Sequence, residues 1–154
     1  MRESVLSWDN YFMSLAHLSA MRSKDPSTQV GACIVNKRKR VVGLGYNGFP
    51  FGCEDEDFPW DREGDFSETK YPYVVHAELN AILNATGNVE NCSIYVSLFP
   101  CNECAKSIVQ AGIKEVVYES NKYAHTDGAK ASLRILNSAG VELRQVEKLE
   151  VEVK

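Results

Sequence analysis

The sequence lacks the features that would place the protein in a membrane or outside the cell. It contains no run of 18 apolar residues, so no transmembrane helix is predicted. Residues 1–4 do not begin a signal peptide, and no internal repeat or low-complexity tract follows them. Cysteine is scarce and odd in number, at five residues, which argues against a disulfide framework. We therefore expect a reduced, cytoplasmic protein.

An excess of basic charge is also missing. The chain has 17 Lys and Arg residues against 21 Asp and Glu, which gives a net charge of −4. Proteins that bind nucleic acid usually carry a basic surface, so this balance argues against such a partner. A length of 154 residues with 44% hydrophobic and 25% charged residues is ordinary for one globular domain with its own core. We predict a single domain over residues 1–154, with no nucleic-acid or membrane partner.

The hydrophobic pattern predicts helices that alternate with strands. Apolar residues spaced by three and four predict a first helix over 7–22, and two strands at 30–35 and 40–46 should pair antiparallel across the short turn 37–40. A long loop at 51–72 follows, and its aromatic residues predict that it packs. The remaining predicted elements are helices over 76–85, 101–111 and 126–138, and strands over 92–98, 114–119 and 141–146. This order predicts an α/β fold, a three-layer α/β/α sandwich around a five-stranded mixed sheet.

The residues that can carry chemistry lie between positions 76 and 104. Glu78 follows His76 by two residues, and Pro100 precedes a Cys-x-x-Cys pair formed by Cys101 and Cys104. One imidazole and two thiolates give zinc three protein ligands and leave the fourth position for water, which is typical of a catalytic site. Glu78 is then placed to act as the general acid and base. Together, H-x-E and P-C-x-x-C are the signature of zinc deaminases of nucleobases.

Local structure supports this interpretation. If helices begin at His76 and at Cys101, two helix N-termini face the metal and favour the thiolate form of both cysteines. The spacing of Cys101 and Cys104 places both sulfur atoms on one helix face. A redox dithiol, or a structural zinc completed by a distant ligand, stays open as an alternative. The other cysteines have no ligand spacing and are interpreted as core or loop residues: Cys33, Cys53 and Cys92.

Two further segments suggest ligand contacts. The segment 45–50 reads Gly-Tyr-Asn-Gly-Phe-Pro, and its two glycines predict a backbone bent through unusual angles near a ligand, or alternatively a plain turn. The acidic cluster 54–57 could hold a phosphate only through Mg²⁺, and a solvated loop face is the alternative. We interpret the basic turn 37–40 as a solvated hairpin tip and expect no function for His17 or His125.

The amino-acid sequence of several segments resembles that of the deoxycytidylate (dCMP) deaminases. The likeness covers residues 18–35, 45–50, 71–83 and 98–116, and is weakest over the loop 51–70. It implies a cytidine deaminase-like fold and the deamination of dCMP to dUMP, which supplies thymidylate synthesis. It further implies a homo-oligomer, commonly a hexamer, that dCTP activates and dTTP inhibits together with Mg²⁺.

The resemblance also suggests residue roles. Asn47 matches a substrate-contacting residue of the family, while position and charge type make four other residues candidates for the 5′-phosphate. These candidates are Arg22, Lys24, Lys122 and Tyr123. The main-chain groups of Gly45, Tyr46 and Gly48 are candidates for contacts with the effector triphosphate.

Interpretations from other functional classes stay open at this point. A nucleic-acid-editing deaminase would share the zinc chemistry but should carry a basic surface. A deaminase of a nucleoside, of dCTP or of an adenine substrate would keep the same motifs. A non-catalytic zinc-binding module would have no need of Glu78.

Overall fold

A five-stranded sheet forms the centre of the computed structural model, which describes all residues 1–154. The strands are β1 (Gly31–Val35), β2 (Val41–Tyr46), β3 (Ser93–Leu98), β4 (Glu115–Ser120) and β5 (Glu142–Gln145). The helices are α1 (Trp8–Ala20), α2 (Ala77–Leu83), α3 (Asn102–Ala111) and α4 (Asp127–Ser138), and a short 3-10 helix spans Phe66–Glu68. Every predicted element is present, with ends shifted by up to two residues. No helix combines the length and the apolar character needed to span a membrane.

The sheet is mixed, as predicted, and its strand order is β2-β1-β3-β4-β5. The strands β1 and β2 pair antiparallel, β1 pairs antiparallel with β3, and the β3–β4 and β4–β5 pairs are parallel. Because β3 and β4 run in the same direction, Leu98 and Ser120 lie opposite each other at one edge of the sheet. The chain segments that leave these two residues therefore begin side by side, and ligands often bind at such an edge.

Helices cover both faces of the sheet, which confirms the three-layer sandwich. On one face α1 buries Phe12, Met13 and Ala16 against Cys33 and Tyr95. On the other face, buried residues of α2, α3 and α4 join the alternate strand residues in a larger core. Successive strand residues point to opposite faces, so Cys33 and Ile34 belong to different cores. Burial raises the pKa of the Cys33 thiol to about 12, which fits its prediction as a core residue.

The two glycines of the segment 45–50 differ in their surroundings, since Gly45 is closely packed and a Cβ atom on Gly48 would meet nothing within 4 Å. A Cβ atom on Gly45 would lie 2.4 Å from Ala77 O, because α2 crosses directly over β2. Gly48 pairs with Val75 in an isolated antiparallel bridge. Neither Gly45 nor Gly48 has a positive φ angle. Of the two alternatives for 45–50, unusual backbone angles are therefore not found at either glycine, and at Gly45 it is the neighbouring helix that requires the missing side chain.

The long loop before α2 is packed, as its aromatic content predicted. The rings of Phe49 and Trp60 have centroids 4.1 Å apart, and those of Phe58 and Tyr73 lie 5.2 Å apart edge to face. The Trp60 indole N–H donates to the Asp55 carbonyl at 3.1 Å. These contacts hold the loop beside the sheet edge at which β3 and β4 end.

Candidate active site

A cavity of about 400 Å³ lies where β3 and β4 end and the long loop returns. At one end it is bounded by His76, Glu78 and Cys101. Its side walls include Val74, Phe99 and other apolar or aromatic residues, and the Phe99 ring is held edge to face by Tyr118 at 4.9 Å. Such walls suit a flat aromatic ring, which gains both buried area and favourable ring contacts there.

Two helix starts bring the predicted metal ligands together. His76 is the N-cap residue of α2 and Cys101 is that of α3, while Cys104 lies in the first turn of α3. The sulfur atoms of Cys101 and Cys104 each lie 3.4 Å from His76 Nδ1. All three ligand atoms lie within 4.8 Å of one another. Zn–S bonds of about 2.3 Å and Zn–N bonds of about 2.0 Å in a tetrahedron predict ligand atoms about 3.5 Å apart, so the geometry fits zinc.

The protonation states of this group also fit a divalent cation. The pKa of Cys101 falls to about 4 because Cys104 and His76 hydrogen-bond to its sulfur. The same thiol contact, together with burial, raises the pKa of Cys104 well above its usual range. The hydrogen bond to Cys101 raises the pKa of His76. Because zinc binds deprotonated ligands, a zinc ion here would stabilise both thiolates and a neutral imidazole.

Glu78 is the carboxylate available for proton transfer in the cavity. It is 5% exposed, lies in the first turn of α2, and its pKa is raised because burial disfavours the charged form. The other acidic residue in the lining is Asp25, whose two carboxylate oxygens accept hydrogen bonds from Lys70 and from two backbone N–H groups. Asp25 therefore holds structure, while Glu78 faces the metal end.

The loop that carries Pro100 and Cys101 is tied to α4. The buried Ser132 hydroxyl donates to the Pro100 carbonyl at 2.7 Å. Pro100 itself is fully buried. This contact fixes the entry to α3 and with it the position of Cys101.

Asn47 lies in the cavity wall, where its side chain is bound to the backbone. Its Oδ1 accepts from the Val30 N–H and its Nδ2 donates to the Thr28 carbonyl, both at 2.9 Å. One N–H of the amide is left for a ligand. A substrate contact by Asn47 stays a prediction, and the visible role of the side chain is to fix the strand entry that forms the same wall.

Only one of the residues predicted to hold the phosphate lines the cavity. Tyr123 lines the cavity, whereas Arg22, Lys24 and Lys122 are exposed and lie outside the lining. The Lys24 ammonium pairs with Asp55 at 2.6 Å, and the Lys122 ammonium lies 5.2 Å from the centroid of the Tyr123 ring. The two cations that do line the cavity are Arg62 and Lys70.

Neither Arg62 nor Lys70 was predicted from the sequence as a ligand-binding residue. Both lie in the irregular loop where the resemblance is weakest, and single basic residues without periodic spacing look like solvated surface. Two signals pointed to them indirectly. The loop is unusually long for a compact domain, and its aromatic content predicted packing.

The predicted effector residues are placed as follows. Gly45 lies in β2 beneath α2, and Tyr46 is 36% exposed. The Gly48 N–H donates to the Val75 carbonyl at 3.1 Å, and the Gly48 carbonyl accepts from the Val75 N–H at 2.8 Å. Gly48 therefore has no free main-chain N–H for a triphosphate in this arrangement.

The sequence matches the family described as the cytidine and deoxycytidylate deaminase zinc-binding region over residues 6–120. It is 57% identical to a deoxycytidylate deaminase of Homo sapiens over 146 residues, which cover 94% of this chain and 82% of the relative. The corresponding protein of Mus musculus is 56% identical with the same coverage.

A solved structure shares both fold and sequence with the chain. It is the dCMP deaminase from the cyanophage S-TIM5 in complex with dCMP and dUMP, at 26% identity and a TM-score of 0.72. The match covers 89% of this chain and 95% of the phage protein.

Proposed function

The chain belongs to the cytidine and deoxycytidylate deaminase family, and on this premise we propose that it is a deoxycytidylate deaminase, which converts dCMP and water to dUMP and ammonia. The observation that carries the proposal is the grouping of the His76, Cys101 and Cys104 ligand atoms within 4.8 Å of one another, at a cavity that Glu78 and aromatic side chains also line. The names of the human and mouse relatives, and the dCMP in the related phage structure, support dCMP as the substrate.

His76, Cys101 and Cys104 would hold the zinc ion. When bound, zinc supplies a Lewis acid that makes water a nucleophile near neutral pH. The protein's own contribution begins with two helix N-termini, which place backbone dipoles beside both thiolates. Ser132 then holds the Pro100 carbonyl and so keeps Cys101 in position.

Glu78 would move the protons of the reaction. Its carboxylate accepts a proton from the attacking water and delivers one to the pyrimidine ring nitrogen. It then helps to protonate the amino group, which leaves the ring carbon as ammonia while the new oxygen stays as the carbonyl of dUMP. A buried carboxyl with a raised pKa suits both directions of transfer, and such a group usually contributes about 10²- to 10⁴-fold.

A substrate comparison tests the proposal. Ammonia release should be measured with dCMP, cytidine, deoxycytidine, dCTP and single-stranded DNA, with the Glu78→Gln variant as the inactive control. We expect the highest kcat/KM with dCMP. A protein that released ammonia from deoxycytidine as readily as from dCMP, or from DNA alone, would have a different substrate.

We also propose the regulation that the resemblance implies: a cytoplasmic homo-oligomer, commonly a hexamer, activated by dCTP and inhibited by dTTP with Mg²⁺. Exposed apolar residues on β2 and α2, among them Leu44 and Leu83, support a contact between subunits. Each effector can act only through its differential affinity for two states, typically 1–3 kcal/mol.

Initial-rate curves test the regulation. We expect a sigmoidal dCMP curve that dCTP with Mg²⁺ makes hyperbolic and that dTTP shifts to higher substrate concentration. The oligomeric state should be measured by light scattering on the same sample. A hyperbolic curve that neither nucleotide changes, from a confirmed oligomer, would remove the regulation and leave the deaminase proposal intact.

A further inference from the structure

The cavity lining contains two cationic side chains in addition to the predicted metal ligands. Among the lining residues outside the zinc end, the charged side chains are Arg62, Lys70 and Asp25. Two cations against one anion leave this region with a net charge of +1, although the whole chain has a net charge of −4. A protein with a negative net charge must supply cationic groups locally to bind an anion, and Arg62 and Lys70 supply them in this cavity.

Lys70 is fixed in place before any ligand arrives. Its Nζ donates to Asp25 Oδ2 at 2.6 Å, and the two side chains are 10% and 1% exposed. The other Asp25 oxygen accepts from the N–H groups of Ser27, at 2.8 Å, and Thr28, at 3.3 Å. Asp25 is therefore fully engaged. The Lys70 ammonium forms no second hydrogen bond to the protein and lies 5.8 Å from the centroid of the Tyr71 ring, so two of its N–H groups are available to a ligand.

Arg62 provides the unpaired charge. It is exposed, lines the same cavity, and forms no ion pair with any carboxylate. The neighbouring Tyr71 hydroxyl raises the pKa of the Arg62 guanidinium, so the side chain stays charged. Tyr71 and Tyr123 also line the cavity. A planar guanidinium can take two phosphate oxygens at once, which a lysine cannot do.

We propose that Arg62 and Lys70 bind the 5′-phosphate of a nucleoside monophosphate, and that Asp25 is the positioning residue for Lys70. The inference rests on the proposed function and deepens it, since it names the residues that distinguish a nucleotide from a nucleoside. A monophosphate ester carries nearly two negative charges near neutral pH, which match the two cations. The residues Arg22, Lys24 and Lys122, outside the cavity lining, form the rival set.

Binding of the product tests the assignment independently of turnover. Calorimetry on the zinc-loaded protein should compare dUMP with deoxyuridine, which differ only in the phosphate. The variants are Arg62→Met and the double variant Asp25→Asn with Lys70→Gln, which leaves no unpaired charge buried. Arg38→Met, on the exposed basic turn, is the matched control for loss of one arginine.

We expect the Kd for dUMP to rise by roughly tenfold to a hundredfold in each of the two variants, as for the loss of a charged hydrogen bond. The Kd for deoxyuridine should stay within about twofold, because the base and sugar contacts are untouched. The KM for dCMP should rise in parallel, while kcat changes little, since the phosphate does not take part in the chemical step. The Arg38→Met control should have the same Kd values for dUMP and deoxyuridine, and the same KM and kcat for dCMP, as the parent.

Other outcomes would overturn the inference in distinguishable ways. If Arg22→Met, Lys24→Met or Lys122→Met weakens dUMP binding and the two variants do not, the rival set holds the phosphate. If the variants weaken dUMP and deoxyuridine equally, Arg62 and Lys70 shape the cavity without recognising phosphate. In both cases a parent that deaminates dCMP keeps the proposed function. The opposite result is also distinguishable. If the parent protein does not deaminate dCMP but binds dUMP more tightly than deoxyuridine, and Arg62→Met removes that difference, then the phosphate site is supported and the proposed function is wrong.

Discussion

At the scale of single residues, two carboxylates in the cavity, Glu78 and Asp25, have different environments and therefore different roles. Glu78 and Asp25 are both buried carboxylates that line the same cavity, with Glu78 at its metal end. Asp25 is neutralised by Lys70 and by backbone N–H groups, whereas Glu78 keeps a raised pKa because burial is its main influence. Environment, and not residue type, makes one carboxylate structural and suits the other to its proposed role as proton carrier.

The Glu78→Gln substitution tests that division. The amide keeps the size and hydrogen-bonding head of the carboxylate but cannot carry protons, so kcat should fall by at least ~10³-fold. Zinc content and melting temperature should match those of the parent. Turnover within tenfold of the parent, measured by ammonia release, would rule out Glu78 as the proton carrier.

The Cys104→Ala substitution tests the metal site. Removing one of three ligands should release the zinc, because the two remaining ligands cannot enclose the ion. The fold should be destabilised as well, since zinc binding contributes to the stability of a site that it occupies. Elemental analysis and thermal unfolding measure the two effects. Cys53→Ala, at a half-buried loop cysteine, is the matched control, and full zinc occupancy in Cys104→Ala would contradict the ligand assignment.

At the scale of secondary-structure elements, the four helices begin in two different ways. The N-cap residues of α1 and α4 are Ser7 and Thr126, and each side chain accepts a hydrogen bond from its own helix. The N-cap residues of α2 and α3 are His76 and Cys101, and neither makes a side-chain cap bond. Each of these two helices therefore lacks the stabilisation of about 1 kcal/mol that an N-cap side chain usually provides. Their first side chains are instead available to the metal.

A glycine in β1 shows how closely an element can constrain its neighbour. A Cβ atom on Gly31 would lie 1.7 Å from Ala16 O, so α1 must move if the residue changes. We expect Gly31→Ala to destabilise the protein by at least ~1–3 kcal/mol, the usual range for overpacking. Urea unfolding measures the difference.

Gly87→Ala is the control for this prediction. Gly87 has no positive φ angle, and a Cβ atom there meets nothing within 4 Å. The control should match or slightly exceed the stability of the parent, because alanine restricts the unfolded chain. Equal stability of the two variants would mean that α1 adapts to Gly31→Ala without loss of packing.

At the scale of the whole molecule, one polar network joins α1 to three strands. Asp9 accepts hydrogen bonds from the Tyr95 hydroxyl, at 2.6 Å, and from the Arg144 guanidinium. Arg144 also donates to Glu115 at 3.2 Å. The hydrogen bond from Arg144 lowers the pKa of Asp9, against the opposing effect of burial. The first helix is thereby linked to β3, β4 and β5.

This network predicts how stability depends on pH. A depressed folded-state pKa means that the contribution of Asp9 is present above its unfolded value, near ~3.9, and is lost as pH falls through the folded value. The free energy of unfolding should therefore fall more between about pH 5 and pH 3 in the parent than in Asp9→Asn. Urea unfolding at both pH values measures the two changes, and loss of zinc at low pH affects both proteins alike.

Asp57→Asn is the control for the pH effect. Asp57 is an exposed loop residue and forms no ion pair, so its replacement should leave the acid dependence of the parent unchanged. An identical loss of stability in the parent and Asp9→Asn would mean that the Arg144 contact is too screened by solvent to matter.

His17 illustrates a structural role that no local pattern reveals. Its Nε2 lies 2.8 Å from Glu119 Oε1, and the other Glu119 oxygen accepts from the Leu149 N–H at 2.8 Å. Glu119 is buried at 6% exposure. The pair joins α1, β4 and the segment after β5. His17 was expected to have no function, and these contacts give it a place in the fold.

The sequence by itself determined the order of elements, the mixed sheet and the metal-binding group. Periodic apolar residues encode helices and strands locally, and the predicted ligands His76, Cys101 and Cys104 lie in short motifs that are typical of a zinc site. The tertiary structure alone decided the partners of isolated charges. Lys70 and Asp25 are 45 residues apart, and His17 and Glu119 are 102 apart. Single charged residues carry no periodicity, so only the folded chain shows which are solvated and which meet.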